Sequence, residues 1–286
     1  MTRTLAVLLL SVSLSAFRNT ASKKTAKQAK TMPTFFFSQA VLFLAAAALS
    51  AVCNSGAFAA LSAAVVGYGI LYGILLVLSQ WMLTFSLRSG STSVCSVIYS
   101  LGFVLPAVSG ALFWHEPFTR MNALGLVLAL TVILLTVKKN GSEPGGKSYL
   151  PYLLIAMSAS GGLGILQKAG KTSGMAGKES AFLLCAFLFA FFCSFAAFLL
   201  CRGTAADMCA QKLSAPVLSG LAFGGANLCN TLLAGSMKSA VFFPVQNIGT
   251  VLLSTLLGMA LFREKPTART AAVLFLGSLT LLAFSL

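Results

Sequence analysis

Long apolar runs alternate with short polar stretches along almost the whole chain. Ten runs can be drawn: 4–18, 33–53, 62–87, 92–114, 119–137, 149–167, 179–201, 214–236, 240–262 and 267–285. A hydrocarbon core about 30 Å thick takes roughly 20 apolar residues of helix to cross. These runs are too continuously apolar for barrel strands, and lipid leaves exposed backbone groups unsatisfied, so each is expected as a helix. The expected fold class is an all-α membrane protein with ten transmembrane helices.

The pattern also repeats. GALFWHEPFT (Gly110–Thr119) aligns without a gap on GMALFREKPT (Gly258–Thr267) at an offset of 148 residues, matching Gly110 with Gly258, Glu116 with Glu264 and Thr119 with Thr267. At an offset of 147, Ser11 falls on Ser158, Ser13 on Ser160 and Lys24-Thr25 on Lys171-Thr172. The second match favours a retained first helix over a removed secretory signal, which the basic start and small residues of 1–18 also allow. The expected organisation is a first five-helix repeat over 1–138, a linker over 139–148 containing the Pro- and Gly-bearing NGSEPGGK, and a second repeat over 149–286. Five is odd, so the second copy enters from the opposite side of the bilayer, the inverted-repeat plan of many secondary transporters.

Composition agrees. The chain is 58% hydrophobic and 9% charged, with mean hydropathy +0.92, where a soluble domain carries about 25% charged residues. A net charge of +15 would suggest nucleic acid in a soluble protein. Here the cations fall between apolar runs, where they meet lipid headgroups and set topology. The expected partners are therefore membrane lipids and a small-molecule substrate, with no nucleic acid. Oligomeric state is left open. Of the 20 Lys and Arg, fourteen follow the odd-numbered runs and six lie on the other side, which puts both termini outside. The seven cysteines show no metal-ligand spacing and read as small packing residues. No metal or cofactor is expected.

The two copies around Glu116 and Glu264 resemble the repeated signature of the drug/metabolite transporter superfamily, specifically its ten-helix EamA-type members. That resemblance implies a 5+5 inverted-repeat carrier of small metabolites, often amino acids or drugs, driven by gradients and not by ATP. It also implies cytosolic termini, against the charge count.

Glu116 and Glu264 have two readings. Either is a proton-coupling or gating carboxylate, or each caps the helix that follows, where a Glu is favourable in the first turn. Their duplication favours a structural corner. The remaining acids, Glu143, Glu179 and Asp207, lie in loops or at a helix start. No carboxylate sits well inside a span, which disfavours drug-cation export through an intramembrane acid. Uncharged polar residues inside spans are the substrate-binding candidates: Gln80, Trp81, Tyr99, Asn227, Asn230, Gln246 and Asn247. The repeat sets Gln80 against Asn230 and Tyr99 against Asn247. Either these residues line one wet cavity, or they are interhelical glue worth about 0.6 kcal/mol per contact. Glycines crowd spans 3, 6 and 8 and suit close helix approach. GILQKAGKT (Gly164–Thr172) has one residue too many for a phosphate-binding loop and follows an apolar helix. His115 reads as an interfacial side chain.

The expected function is secondary transport of a small polar or zwitterionic, amino-acid-like metabolite across the cell membrane by alternating access. A lipid translocator and a non-transporting membrane scaffold are the alternatives. An enzyme is not expected, because no nucleophile–base pair or metal cluster is visible. The charge count predicts that a cysteine at Ala26, in a variant lacking the native cysteines, resists a membrane-impermeant thiol reagent in intact cells. Rapid labelling there would favour cytosolic termini.

Overall fold

A computed structural model describes residues 2–28, 31–53, 61–89, 95, 98–135, 149–173, 177–262 and 268–285. Eleven helices are named here: α1 (Thr2–Gln28), α2 (Met32–Cys53), α3 (Ala63–Ser89), α4 (Val104–Trp114), α5 (Arg120–Leu135), α6 (Leu150–Thr172), α7 (Glu179–Leu200), α8 (Ala205–Ala210), α9 (Ser214–Ala234), α10 (Ser239–Phe262) and α11 (Ala268–Ser285). A 3-10 turn, Leu101–Phe103, leads into α4. No strand occurs among the described residues.

Hydroxyl side chains mark several helix starts. The Thr31 hydroxyl accepts the Thr34 N–H at 3.3 Å before α2, and the Thr119 hydroxyl accepts the Asn122 N–H at 3.2 Å before α5. Each satisfies one of the donors that a helix N-terminus leaves over. Thr204 and Asp207 form a reciprocal capping box on α8.

Six helical segments are long and apolar enough to cross a membrane: Met32–Cys53, Ala63–Ser86, Leu150–Thr172, Glu179–Leu200, Ser214–Ala234 and Ser239–Leu257. The chain is a multi-pass membrane protein on this ground. Ile98–Trp114, Arg120–Leu135 and Ala271–Phe284 are apolar but shorter. Large apolar side chains such as Phe192 on α7 and Val127 on α5 stand exposed, as lipid-facing residues do.

Among the described residues helix occurs within each of the ten expected runs, though 92–94, 96–97, 136–137 and 267 lie outside them, and two segments differ from expectation. The polar stretch after Arg18 is not a loop; α1 continues to Gln28. Ala, Lys and Gln are strong helix formers, and 19–28 contains no Gly or Pro. The segment between α7 and α9 holds a short helix, α8, nucleated by its capping box.

One helix start recurs with the sequence repeat. α2 and α7 start 147 residues apart. The chain forms two compact units, each drawing on both sequence halves: 1–77 with 170–233, and 78–169 with 234–286.

In the first unit, α2 packs along its repeat counterpart α7. Two glycine pairs bring further helices in. A Cβ on Gly69 would lie 2.6 Å from that of Cys185, and one on Gly73 would lie 2.9 Å from the Ala186 carbonyl oxygen, so α3 rides directly on α7. Gly220 abuts the Leu42 carbonyl, and a Cβ on Gly224 would sit 3.0 Å from the Ala46 Cα, so α9 rides on α2. Both pairs have the Gly-x-x-x-Gly spacing that lets membrane helices touch backbone to backbone. In the second unit, α5 pairs with α11 and α4 with α10. Phe103, Ala129, Val132, Ile133, Ile248 and Val273 form its apolar core.

Overpacking a filled contact costs about 1–3 kcal/mol or more. Gly224→Leu and Gly73→Leu are therefore expected to lower the yield of monodisperse protein by size-exclusion chromatography. Gly67→Leu, on the same helix as Gly73, should be tolerated, since nothing lies within 4 Å of a Cβ there. Equal loss in all three would show that close approach is not what these glycines provide.

Candidate functional site

The second unit is tied together by a carboxylate. α4 ends with His115 in the left-handed region at φ 51, and the Glu116 N–H then donates back to the Gly110 carbonyl at 3.1 Å. The His115 N–H donates to the same carbonyl, so the last turn of α4 closes on Gly110. The turn folds the Glu116 side chain back over Gly110, where a Cβ would collide with its carboxylate and would lie 2.7 Å from the Ser239 Cβ. Glu116 Oε2 accepts the Ser239 N–H at 2.6 Å, at the first residue of α10. Glu116 Oε1 lies 2.6 Å from Lys168 Nζ of α6, and that ammonium also donates to the Met237 carbonyl at 3.2 Å.

Glu116 is therefore a cap, but not of the helix that follows it. Thr119 caps α5, and Glu116 caps α10, 123 positions along the chain. The pair is largely shielded, with side-chain exposures of 7% for Lys168 and 13% for Glu116. Lys168, read from sequence as a topogenic loop charge, is a buried structural cation. Glu264, the repeat counterpart of Glu116, lies outside the described residues.

In the first unit the amides bridge helices. The Tyr72 hydroxyl on α3 donates to Asn227 Oδ1 on α9 at 2.7 Å, and Asn227 Nδ2 donates to the Phe223 carbonyl at 2.9 Å. The Ser11 hydroxyl on α1 donates to Asn230 Oδ1 on α9. Arg18, seven residues beyond Ser11, places its guanidinium 4.2 Å from the Phe223 ring centroid. Sequence reasoning left Arg18 in a loop. Its spacing from Ser11 and Ser15, one face of one helix, was the available signal.

Two further carboxylates of the unit serve helix starts. Lys171 pairs with Glu179, which also accepts the Gly177 N–H at 3.1 Å. The Thr204 backbone N–H, followed by its hydroxyl, holds the Asp207 carboxyl below the usual carboxylate range.

The remaining candidates belong to the second unit. Gln80 and Trp81 are half-buried on α3, and the Gln80 carbonyl accepts the Thr84 hydroxyl at 2.8 Å. The Tyr99 hydroxyl and Ser79 Oγ lie 2.8 Å apart. Gln246 and Asn247 follow Pro244 inside α10, where proline removes one backbone donor. Asn247 Oδ1 is buried and makes no hydrogen bond among the described residues. Among the described residues, no group of three or more His, Cys, Asp or Glu could hold a metal.

No family model matches the chain, and no curated protein matches it. Solved structures do: 28 chains match in fold. One crystal structure, described only as that of a protein, covers 99% of this chain and 96% of its own at TM-score 0.72 and 15% identity. At that identity the likeness establishes a shared fold over the full length and nothing about activity.

Removing one partner of a buried ion pair leaves the other uncompensated and costs about 3–5 kcal/mol, whereas apolar replacement of both is often near neutral. Lys168→Met should therefore lower thermal stability in detergent more than Lys168→Met combined with Glu116→Leu. A double variant less stable than the single would show that Glu116 stabilises α10 independently of Lys168.

Proposed function

We propose that the chain is a ten-helix, inverted-repeat secondary carrier of the EamA type. It resides in the cell membrane and moves a small polar or zwitterionic, amino-acid-like metabolite by alternating access. The observation that carries this reading is the agreement between sequence repeat and packing. α2 and α7 start 147 residues apart, and α2 and α7, α4 and α10, and α5 and α11 pack on one another. Contact between repeat counterparts is what a pseudo-twofold relation between two copies of one unit produces. Packing of α3 on α7 and of α9 on α2 through paired glycines repeats the same contact in both copies.

Polar side chains within apolar helices support a solute path over a dry scaffold. Burying an unpaired amide costs roughly 1–3 kcal/mol by mutational measure. Asn227 and Asn230 in one unit, and Gln80, Gln246 and Asn247 in the other, are the candidate solute contacts. Amides donate and accept, which suits a neutral or zwitterionic solute.

Asn247 offers the cleanest test. Its buried oxygen has no partner among the described residues, so Asn247→Ala is expected to leave thermal stability unchanged or slightly raised. Uptake of a radiolabelled amino-acid mixture into proteoliposomes should fall at least ten-fold in that variant. Normal uptake by Asn247→Ala would remove this residue from the path, and no uptake of any small solute by the wild type would remove the carrier reading.

A further inference from the structure

We propose that one edge of the first unit is a binding surface for anionic phospholipid headgroups, with Arg202 and Lys212 as its exposed cations. This surface is independent of any carrier activity.

Packing gathers cations from three helices at that edge. The Phe37 and Phe198 rings meet at 5.5 Å, so the start of α2 lies by the end of α7. Gly220 abuts Leu42, so the start of α9 lies at the same edge. α1 runs antiparallel to α9, with Arg18 on Phe223 and Ser11 on Asn230. Equal steps along both helices from the first contact bring Lys27 level with Ser214, where α9 begins. The last turns of α1 therefore carry Lys23, Lys24 and Lys27 to this edge, where Arg202 follows α7 and Lys212 precedes α9. The unit's sequence has only two carboxylates to set against them. Glu179 starts α7, at the opposite edge, and pairs with Lys171. Asp207 is taken by the Thr204 N–H at 3.0 Å and hydroxyl at 2.8 Å. Among the described residues, the exposed side chains of Arg202 and Lys212 make no ion pair or hydrogen bond.

Arg202 also stands where a backbone favours glycine. It is left-handed at φ 55; its N–H donates to the Leu199 carbonyl at 2.9 Å and the Gly203 N–H to the Phe198 carbonyl at 3.0 Å. This is a Schellman closure, whose left-handed position is usually Gly. Strain of that kind points to a use for the side chain. Apolar side chains stand among the cations. Leu200, just before the turn, is 84% exposed, and Leu213, beside Lys212, is exposed as well. A soluble polyanion offers those leucines nothing. A phospholipid meets both needs: its phosphate takes the paired N–H donors of a guanidinium, and its acyl chain covers the leucines. Uncompensated positive charge selects anionic over zwitterionic headgroups, which bring a cation of their own.

The test uses the purified full-length protein in detergent. The probes are phosphatidylglycerol, phosphatidylcholine with the same acyl chains, and heparin as a soluble polyanion. Phosphatidylglycerol is expected to raise the melting temperature of the wild type, and the other two to leave it unchanged. Arg202→Gly, which suits the left-handed turn, combined with Lys212→Gln should keep the lipid-free melting temperature and weaken the apparent affinity for phosphatidylglycerol at least ten-fold. Arg3→Gln, at the opposite edge, should leave that affinity unchanged. Charges that only set topology would leave it unchanged in the double variant too. A second readout needs no variant. Phosphatidylglycerol should slow maleimide labelling of Cys201 and Cys209, exposed at this edge, more than that of Cys53, exposed at the other, as read by peptide mass spectrometry. Equal shifts from the two lipids, a heparin shift matching that of phosphatidylglycerol, undiminished affinity in the folded double variant, an equal loss in Arg3→Gln, uniform slowing at the three cysteines, or no shift from any probe would each overturn the surface.

Discussion

The second unit depends on one carboxylate that must find partners away from water. Glu116 arrives at the end of α4 with a charge that an apolar environment does not tolerate alone. The left-handed His115 turn sends it back over Gly110, toward the exposed N–H of Ser239 and the ammonium of Lys168. One side chain thereby joins α4, α6 and the start of α10. Hydrogen bonds to charged groups contribute about 1.5–3 kcal/mol each, more than neutral ones, and the positive end of the α10 dipole adds to the same charge. Gly110 is required because any Cβ would occupy the space the carboxylate fills. The Gly and the Glu that both copies of the repeat share are thus, in the described copy, in contact with each other.

That contact shows which parts of the fold were legible. The helical runs were legible because the bilayer leaves backbone groups no alternative to helix, so apolar length alone sets the elements. The likeness of Gly110–Thr119 to Gly258–Thr267 was legible as residue identity at fixed spacing. The partner of Glu116 was not. Periodicity places a residue on a face of its own helix but says nothing of a contact 123 positions away. The more local cap, on the following helix, was the natural expectation, yet Thr119 already fills that place.

The same limit explains the cations. Lys168 and Arg18 sit near the ends of apolar runs, where composition reads them as topogenic. Both lie on helices that continue past the apolar stretch: α6 runs to Thr172 and α1 to Gln28. An apolar run marks where a helix must be hydrophobic, not where it stops. Once the helix continues, a long side chain can turn inward and bury its stem against apolar neighbours. Of the uncharged candidates, the sequence named the amides correctly as polar positions within spans. It could not say that Asn227 would meet Tyr72 and Asn230 would meet Ser11, because those pairings depend on how three helices are rotated against one another.

Glycine contacts and amide contacts in the first unit are linked by that rotation. Gly220, Gly224 and Asn227 stand at i, i+4 and i+7 on α9, so Asn227 lies beside the glycines that meet α2 and reaches Tyr72 on α3, and Asn230, three residues on, reaches Ser11 on α1. Residues at three- and four-residue spacing are neighbours on a helix face, so the glycine contacts and the amide contacts adjoin one another. Dispersion between closely approaching backbones fixes the rotation, and the hydrogen bonds then specify which side chains meet. Neither suffices alone: membrane hydrogen bonds average only about 0.6 kcal/mol, and apolar contact is little better than contact with lipid. The amides of α9 are therefore presented by packing on the adjoining stripe of the same helix, so the placement of Asn227 and Asn230 depends on two residues that carry no side chain.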